Sequence, residues 1–347
     1  MKIIAVTSKF LPSNLMNYCK ERGVSTIRLN QDLKSIEPKW MLIYRLFTDS
    51  FKCLRHLKAL RCADTILSIS YLTLPLLVYR RTGLLHSRTS FIWEGFFLHN
   101  PKFFPVFKML LRFLFKEGDS LIVYSQFEKD LYSDSFGLKI SDIHYVPLVF
   151  DPEPGLPIQS EYTKKADWKN LPGEFYFSGG YSHRDYATLI DVFRTIDATL
   201  VICSSRLNRE LETLNIPENV ILLNDVSRDD FAELIKRSKA CLVLIKSDSG
   251  AAGQLFAIEA MYYEKIIIAS STSILRELIS HKENGFLVLD AAADIPVIIR
   301  EIEHLSADFD LMRKKAKQKI LENNSKTAYN VHLDAALKTQ VIIPELF

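Results

Sequence analysis

The sequence predicts an α/β protein made of two similar halves, each a parallel β-sheet covered by helices. Short β-rich runs alternate with helical patterns from end to end, which is the pattern of parallel sheets with helices on both faces. The alternation is interrupted once, at residues 151–172, where four prolines and many charges occur without sustained periodicity. The length of 347 residues also exceeds one ordinary core. We therefore predict two domains with a ligand-binding cleft between them, lined by loops at the carboxyl ends of the strands.

Each half follows the same order of elements. The strand-like runs of the first half are KIIAVTS, STIRLN, TILSIS, TSFIWEG, SLIVYS and IHYVPL. Those of the second half are EFYFSGG, ATLVICS, NVILLN, ACLVLIK, KIIIAS and GFLVL, and helical patterns separate them, including RLNRELETLN and GQLFAIEAMYYE. We predict an N-terminal domain at 1–155, a linker at 156–172, a C-terminal domain at 173–328, and a C-terminal helix and tail at 329–347 that packs back on the N-terminal domain.

Composition indicates a globular protein of a reducing compartment. Hydrophobic residues make up 48% and charged residues 24% of the chain. The five cysteines are odd in number and form no C-x-x-C pair, which favours buried free thiols over a metal or redox site. The apolar run at the N-terminus stops at Lys9 and Pro12, and no apolar stretch reaches the roughly 20 residues of a spanning helix. We expect a cytoplasmic protein without a transmembrane segment.

The charge is distributed unevenly along the chain. Residues 1–150 hold 21 Lys and Arg against 12 Asp and Glu, a balance of +9, and the remainder holds 23 against 29, a balance of −6. Within the basic half, Lys108, Arg112 and Lys116 follow one another at intervals of four in an otherwise aromatic and aliphatic helix over 100–119. Such a helix fits either an anionic membrane surface or a core position with a solvated basic edge. The overall balance of this half favours peripheral contact with an anionic membrane, and we expect no nucleic acid partner.

A glycine turn follows the first strand of the second half. In FYFSGGYSHRDY, residues 175–186, an aromatic strand ends at Gly179 and Gly180, and Arg184 stands where the next helix begins. Backbone amides at a glycine turn, a helix N-terminus and a guanidinium together suit a diphosphate. The alternative is an ordinary turn in which Arg184 pairs with a surface acid.

A second candidate stretch is SDSGAAGQLFAIEAM, residues 247–261. Small residues after the strand ACLVLIK let a ligand approach the backbone, and amides at the following helix start can take a phosphate. Glu259, an acid within an apolar run, can accept two hydrogen bonds from vicinal hydroxyls such as those of ribose. Alternatively, Glu259 pairs with a nearby Lys or Arg, or caps a loop. The candidate donor-binding residues of this stretch are Ser249, Gly253, Gln254, Leu255 and Glu259.

These motifs together resemble glycosyltransferase family 4, whose pattern is Glu-x7-Glu-Ala-Met, a strand, a Glu-containing helix and an Asn-Gly turn. The matching residues are Glu259-Ala260-Met261, Lys265 to Ile268, Glu277, and Asn284-Gly285. Arg184 falls where the phosphate-contacting Lys of the family usually stands, and the resemblance covers about residues 120–290. It implies a GT-B fold, in which two Rossmann-like domains face each other across a cleft. It also implies a nucleotide sugar as donor and a retaining reaction.

One departure from the family pattern concerns the sugar. Eight positions before Glu259 the family has a Glu that holds the transferred sugar, whereas this chain has Ala251. We interpret this difference as a rebuilt sugar pocket, with Gln254 and main-chain groups in place of the carboxylate, rather than as a loss of activity.

The N-terminal half contributes one catalytic candidate. Glu94 follows a buried-looking strand next to Gly95, so we expect it to point into the cleft, with His99 as a less well placed alternative. A structural acid that bonds to backbone amides is the competing interpretation of Glu94.

The sequence thus predicts a glycosyltransferase that moves a sugar from a nucleotide-diphosphate sugar to a glycan or lipid-linked acceptor, in bacterial surface-polysaccharide synthesis. The predicted catalytic residues are Arg184 and Glu94, and Arg184, Gly179 and Gly180 join the donor-binding set. We expect neither a metal nor a cofactor, because a guanidinium and helix dipoles can stabilise the leaving diphosphate. The alternatives are a non-catalytic accessory subunit of a transferase complex and a nucleotide-sugar epimerase.

Overall fold

The computed structural model divides the chain into two compact units. Unit 1 comprises Met1–Val149 and Lys326–Phe347, and unit 2 comprises Phe150–Ser325. Most of the predicted linker lies outside the described residues. The structure describes residues 2–7, 13–29, 39–69, 72–96, 98, 101–150, 171–180, 183–204, 208–248, 252–304 and 309–338.

Unit 1 contains a six-stranded parallel sheet. Its strand order is β2-β1-β3-β4-β5-β6, so the chain starts one strand from an edge, moves to that edge and then crosses β1 toward the other edge. This order is that of a doubly wound Rossmann-like sheet. The strands are β1 (Ile3–Thr7), β2 (Ser25–Arg28), β3 (Thr65–Ile69), β4 (Ser90–Glu94), β5 (Ser120–Val123) and β6 (Ile143–Tyr145).

Helices cover both faces of this sheet. The helices of unit 1 are α1 (Ser13–Glu21), α2 (Lys39–Leu54), α3 (Leu57–Arg61), α4 (Thr73–Arg81), α5 (Phe104–Leu114), α6 (Gln126–Phe136) and α13 (Lys326–Lys338). One apolar core joins the sheet to α2 through α6, and a second joins its other face to α1 and α13. The last helix of the chain therefore supplies the cover of a sheet built from the first 150 residues.

A buried ion pair ties α4 to the start of β5. The Arg80 guanidinium contacts both carboxylate oxygens of Asp119, at 2.6 and 2.5 Å, and also donates to the carbonyl of Leu114. Asp119 in turn accepts from the backbone amide of Phe91 at 2.9 Å. Because every charge here has hydrogen-bonding partners, the pair is compatible with its burial.

Unit 2 repeats the architecture. Its six parallel strands have the order β12-β11-β10-β7-β8-β9, and the direction of winding reverses between β7 and β10. The strands are β7 (Tyr176–Gly179), β8 (Leu200–Ser204), β9 (Val220–Asn224), β10 (Ala240–Val243), β11 (Ile266–Ser270) and β12 (Phe286–Val288). The helices are α7 (Tyr186–Phe193), α8 (Arg228–Arg237), α9 (Gln254–Tyr262), α10 (Ser273–Leu278), α11 (Ala291–His304) and α12 (Asp310–Asn323).

Local signals explain where these helices begin. Asp185, Ser227 and Thr272 each accept a hydrogen bond from the backbone amide three residues later, as N-cap side chains do.

The helix predicted from RLNRELETLN is wrong, because the structure has only a 3-10 segment, Arg209–Thr213, in the described part of that stretch. Leu214 is already extended, and Pro217 biases the residue before it away from helix.

The predicted fold class is confirmed, since each unit is a parallel α/β sheet of the Rossmann-like type. Among the described residues, no helix has both the length and the apolar character that crossing a bilayer requires.

Candidate functional site

The candidate site lies at the carboxyl ends of β7 and β10, the two neighbouring strands of unit 2 between which the winding reverses. Loops at such a switch point diverge to opposite faces of the sheet and leave a crevice. The glycine turn after β7 and the small-residue loop after β10 both start there. The two stretches selected from the sequence are thus brought to the same edge of one sheet.

Arg184 is held in a fixed position beside this edge. Its backbone forms a bridge with Ile245, and flanking hydrogen bonds run from Asp185 N to Leu244 O and from Lys246 N to His183 O. Its Nε donates to the carbonyl oxygen of Gly179 at 3.0 Å, and the side chain is buried. The guanidinium is therefore held against the glycine turn that follows β7.

The guanidinium of Arg184 occupies space that two glycines leave open. A Cβ at Gly180 would lie 2.6 Å from Nη2, and a Cβ at Gly253 would lie 3.6 Å from Nη1. Both glycines have positive φ angles, 119° and 90°, which residues with side chains rarely adopt. The two glycine turns and the arginine therefore form one cluster.

The N-terminus of α9 belongs to the same cluster. Gly253 is its N-cap residue and has no side chain to accept from the first amides of the helix. Gln254 is buried at the first helical position, and the side chain of Leu255 is exposed. The first amides of a helix have no partner within the helix, and with a guanidinium nearby they are suited to an anion such as a phosphate.

Glu259 lies on the buried side of α9 and forms an ion pair. Its Oε1 is 2.6 Å from Nη2 of Arg228, the first residue of α8. Burial raises the pKa of Glu259, and the charge of Arg228 opposes that rise. Glu259 therefore pairs with an arginine, as the alternative interpretation of the sequence expected. The ion pair holds the carboxylate at a defined position beside α8.

Aromatic rings surround this ion pair. The guanidinium carbon of Arg228 lies 5.9 Å from the ring centre of Phe150 and 5.7 Å from that of Phe231. Phe231 also fills the space above Gly179, where a Cβ would approach its ring to 2.5 Å. Side chains of α8 therefore connect Glu259 to the glycine turn after β7.

Sequence reasoning missed Arg228. The Ser227 cap marks Arg228 as a helix start, which is a signal the sequence carries, but its partner is 31 positions away. Only the packing of α8 beside α9 shows that the two charges meet.

One donor-binding candidate, Ser249, cannot be placed because it lies outside the described residues. So do Ala251, which stands where the family has a Glu, and His99 in unit 1. Asp248, from the same loop, accepts hydrogen bonds from the amide and hydroxyl of Ser273 and so fixes the start of α10.

Other residues of the family-like pattern have structural positions. The side chain of Asn284 accepts from the amide of Ser280 and donates to the carbonyl of Leu278. A Cβ at Gly285 would lie 2.5 Å from Cγ2 of Ile267. The Asn-Gly pair therefore forms a tight turn against β11 and not a surface for a ligand.

The expected orientation of Glu94 needs correction. Its carboxyl is 1% exposed and lies inside unit 1, where its Oε1 accepts from Tyr124 at 3.3 Å and from Tyr329 of α13 at 3.2 Å. Burial raises the pKa of Glu94 to about 7. The C-terminal helix covers the end of β4, so the carboxyl does not reach the surface of its unit as a general base would have to.

Within the part of the chain that the structure describes, no group of three or more His, Cys, Asp or Glu residues is arranged to hold a metal ion.

Comparison with known proteins finds one family model that matches part of the chain. Residues 160–324, which lie within unit 2, match the family model described as glycosyl transferases group 1. No curated protein sequence matches the chain significantly.

Solved structures resemble the whole chain at low sequence identity. Anabaena HepE, in complex with UDP and glucose, has a TM-score of 0.69 and 12% identity, covering 98% of this chain and 100% of its own. Sucrose-phosphate synthase from Thermosynechococcus elongatus has a TM-score of 0.70 and 15% identity, covering 98% and 99%. A glycosyltransferase from Rickettsia africae has a TM-score of 0.69 and 13% identity, covering 99% of both chains.

At such identities the likeness of structure shows the fold, while the family match rests on the sequence of unit 2. The chain therefore has the GT-B fold, and residues 160–324 of unit 2 match the glycosyl transferases group 1 model.

Proposed function

We propose that the protein transfers a sugar from a nucleotide-diphosphate sugar to a glycan or lipid-linked acceptor. The observation that carries this proposal is the cluster of Arg184, Gly180 and Gly253 beside the N-terminus of α9. The family match of unit 2 supports it. The UDP and glucose bound to Anabaena HepE, a protein of similar fold, agree with a nucleotide sugar as donor.

Each part of the cluster has a role in donor binding. The diphosphate would lie between the Arg184 guanidinium and the amides of Gln254 and Leu255 at the N-terminus of α9, where a negative charge is favoured. The ribose hydroxyls would bind the Glu259 carboxylate. Because Arg228 occupies one oxygen of that carboxylate, the ribose would share Glu259 with Arg228 or displace it.

The reaction breaks the bond between the anomeric carbon and the diphosphate oxygen and forms a bond from that carbon to the acceptor oxygen, whose proton is released. The bond cleavage leaves negative charge on the diphosphate, which a fixed guanidinium and helix amides stabilise without rearrangement. We propose a retaining reaction without a metal ion or cofactor, as the resemblance to family 4 implies. Because Ala251 replaces the Glu of the family, Gln254 and main-chain groups would contact the sugar instead.

The setting we propose is the inner face of the bacterial cell membrane, with surface polysaccharide as the product. The positive balance of residues 1–150 supports contact with an anionic membrane, on which a lipid-linked acceptor would be presented.

Two substitutions test the donor site. Glu259→Ala should raise the donor KM at least about tenfold through lost ribose hydrogen bonds, and Arg184→Ala should lower kcat roughly 100-fold through lost stabilisation of the leaving group. Thermal-shift screening with UDP-, GDP- and ADP-sugars first selects the donor, because a specific ligand stabilises the folded protein. Steady-state kinetics of donor hydrolysis and transfer then measure both variants.

The matched controls are Glu233→Ala and Arg237→Ala, which remove the same residue types from an exposed ion pair on α8. Thermal unfolding of each variant separates loss of folding from loss of function. Unchanged kinetics in both test variants would refute the assignment. Donor binding without hydrolysis or transfer in the wild type would indicate the accessory subunit instead.

A further inference from the structure

Three helices of unit 1 expose an unusual apolar surface. Among the described residues, 15 large hydrophobic side chains are exposed, and eight of them lie on α2, on α4, or on α5 and the turn that leads into it. All five exposed aromatic side chains of the described chain are in this set. We call it the aromatic face; its members are Tyr44, Phe47, Phe51, Val78, Phe103, Val106, Met109 and Phe113, each between 43% and 67% exposed.

The spacing of these residues shows that the exposed stripes run along the helices. Tyr44, Phe47 and Phe51 follow the interval i, i+3, i+7 on α2, and Val106, Met109 and Phe113 follow the same interval on α5. The opposite sides of the helices pack on the sheet through residues such as Cys53 and Leu111, which are fully buried. Both helices are therefore apolar on two sides, which helices at the surface of a soluble protein usually are not.

The three helices form one continuous layer. On one side of α4, the hydroxyl of Tyr79 donates to the carbonyl of Ser50 on α2 at 2.7 Å. On the other side, the guanidinium carbon of Arg81 lies 4.7 Å from the ring centre of Phe113 on α5. The aromatic stripes of α2 and α5 thus flank α4, whose outward Val78 lies between them.

The charge of this layer has one sign. Helices α2, α4 and α5 contain seven Lys and Arg residues and a single acid, Asp49, which is fully buried. Arg81, Lys102 and Arg112 are exposed, and Arg112 and Lys108 extend toward Gly137 at the end of α6. Exposed cations beside protruding aromatic side chains suit a surface that offers anionic groups above an apolar layer.

We infer that the aromatic face docks on an anionic lipid bilayer, with its aromatic side chains inserted and its cations at the headgroups. A second copy of the chain suits the face less well, because a symmetric contact would bring like charges together. The inference rests on the proposed function for its biological purpose. It deepens that function, because docking would hold the enzyme at the membrane that carries a lipid-linked acceptor.

Vesicle co-sedimentation of the full chain tests the inference. The wild type should sediment with vesicles of equal parts phosphatidylglycerol and phosphatidylcholine and remain in solution with pure phosphatidylcholine. Added salt should weaken the binding, since exposed charges are screened. The double variant Phe47→Ser/Phe113→Ser should reduce vesicle affinity at least about tenfold, because it removes inserted side chains. The double variant Arg81→Gln/Arg112→Gln should lower the salt dependence.

The matched control is Leu311→Ser/Leu321→Ser, which replaces two exposed apolar side chains on α12 of unit 2 and should bind vesicles like the wild type. Absence of wild-type sedimentation, equal binding to both vesicle types, or wild-type affinity of Phe47→Ser/Phe113→Ser would each overturn the inference. So would a dimer, detected by light scattering, that the phenylalanine variant converts to a monomer. The comparison of the two vesicle types uses only the wild-type protein, so it is valid even if a variant fails to fold.

Donor binding by the same preparations keeps this test separate from the proposed function. Vesicle binding without affinity for any nucleotide sugar would refute the proposed function alone. Nucleotide-sugar turnover without vesicle binding would refute the docking surface alone.

Discussion

Two buried carboxyl groups differ in the partners that surround them. Glu259 in unit 2 has a cation as its partner, the guanidinium of Arg228 at 2.6 Å. Glu94 in unit 1 has only two tyrosine hydroxyls, from Tyr124 and Tyr329. A nearby cation favours an ionised carboxylate far more than neutral donors do. Burial therefore raises the pKa of Glu94 to about 7, despite the two hydrogen bonds that lower it.

The raised pKa of Glu94 makes the stability of unit 1 depend on pH. Below about pH 4.5 the carboxyl is protonated in the folded and unfolded states, and it has no effect on the pH dependence. Between about 4.5 and 7 the unfolded state loses the proton that the folded state keeps, so the free energy of unfolding falls as pH rises. Glu94→Gln should remove this decline and raise the free energy of unfolding at pH 8 by on the order of 1 to 3 kcal/mol.

Urea denaturation at several pH values measures this effect. Tryptophan fluorescence is a suitable signal because two of the three tryptophans, Trp40 and Trp93, belong to unit 1. The exposed Glu117→Gln is the control and should follow the wild type. If the free energy of unfolding of Glu94→Gln fell with pH as much as that of the wild type, another group would be the cause of the pH dependence.

At the scale of elements, the positions of α8 and α9 depend on glycines that leave room for their neighbours. Gly179 makes space for Phe231 of α8, and Gly253 lets α9 begin against β10. A Cβ at Gly253 would lie 2.8 Å from Cγ1 of Val243 and 3.2 Å from Cδ1 of Ile245. The start of α9, and with it the candidate phosphate site, therefore requires a residue without a side chain.

Gly253→Ala should lower the stability of unit 2 by about 1 to 3 kcal/mol, because it combines a positive φ with a steric clash. It should also weaken nucleotide-sugar binding, since the first amides of α9 would shift. Thermal unfolding and donor titration measure the two effects. Gly173→Ala is the control, as a Cβ there meets nothing within 4 Å, and it should behave like the wild type. Unchanged stability and donor affinity in Gly253→Ala would contradict this account of the turn.

At the scale of the whole molecule, the chain leaves unit 1 after Val149 and returns to it at Lys326. The returning helix α13 supplies Tyr329, Leu333 and Leu337 to the core on one face of the unit 1 sheet. The side chain of Asp334 on the same helix accepts from the hydroxyl of Tyr18 at 2.6 Å. The stability of unit 1 therefore depends on residues that follow unit 2 in the sequence.

Leu333→Ala should destabilise unit 1 by about 2 to 5 kcal/mol, since Leu333 is fully buried and its truncation leaves a cavity. Hydrogen exchange should become faster in β4 and β5 of unit 1 and stay unchanged in β7 and β8 of unit 2. The control on the same helix is Val331→Ala, whose side chain is 62% exposed. Equal acceleration in both units would show that α13 is not a specific part of unit 1.

The sequence by itself determined the parallel sheets, the glycine turn before Arg184 and the start of α9, because each depends on residues that are neighbours along the chain. Alternating β-rich and helical runs, glycines after strands and small residues before an apolar helix are local signals. The predicted α/β class followed from them, whereas the GT-B type was implied by the resemblance to family 4, and both are confirmed.

Only the tertiary structure decided which distant side chains meet. Arg228 reaches Glu259 because α8 packs beside α9, and no local pattern records that contact. Glu94 was expected at an open surface, but Tyr329, 235 positions later, covers it. The aromatic face likewise arises because α2 and α5 flank α4 with their apolar stripes turned outward. Burial and pairing depend on which helices pack together, and that is a property of the folded chain rather than of any segment.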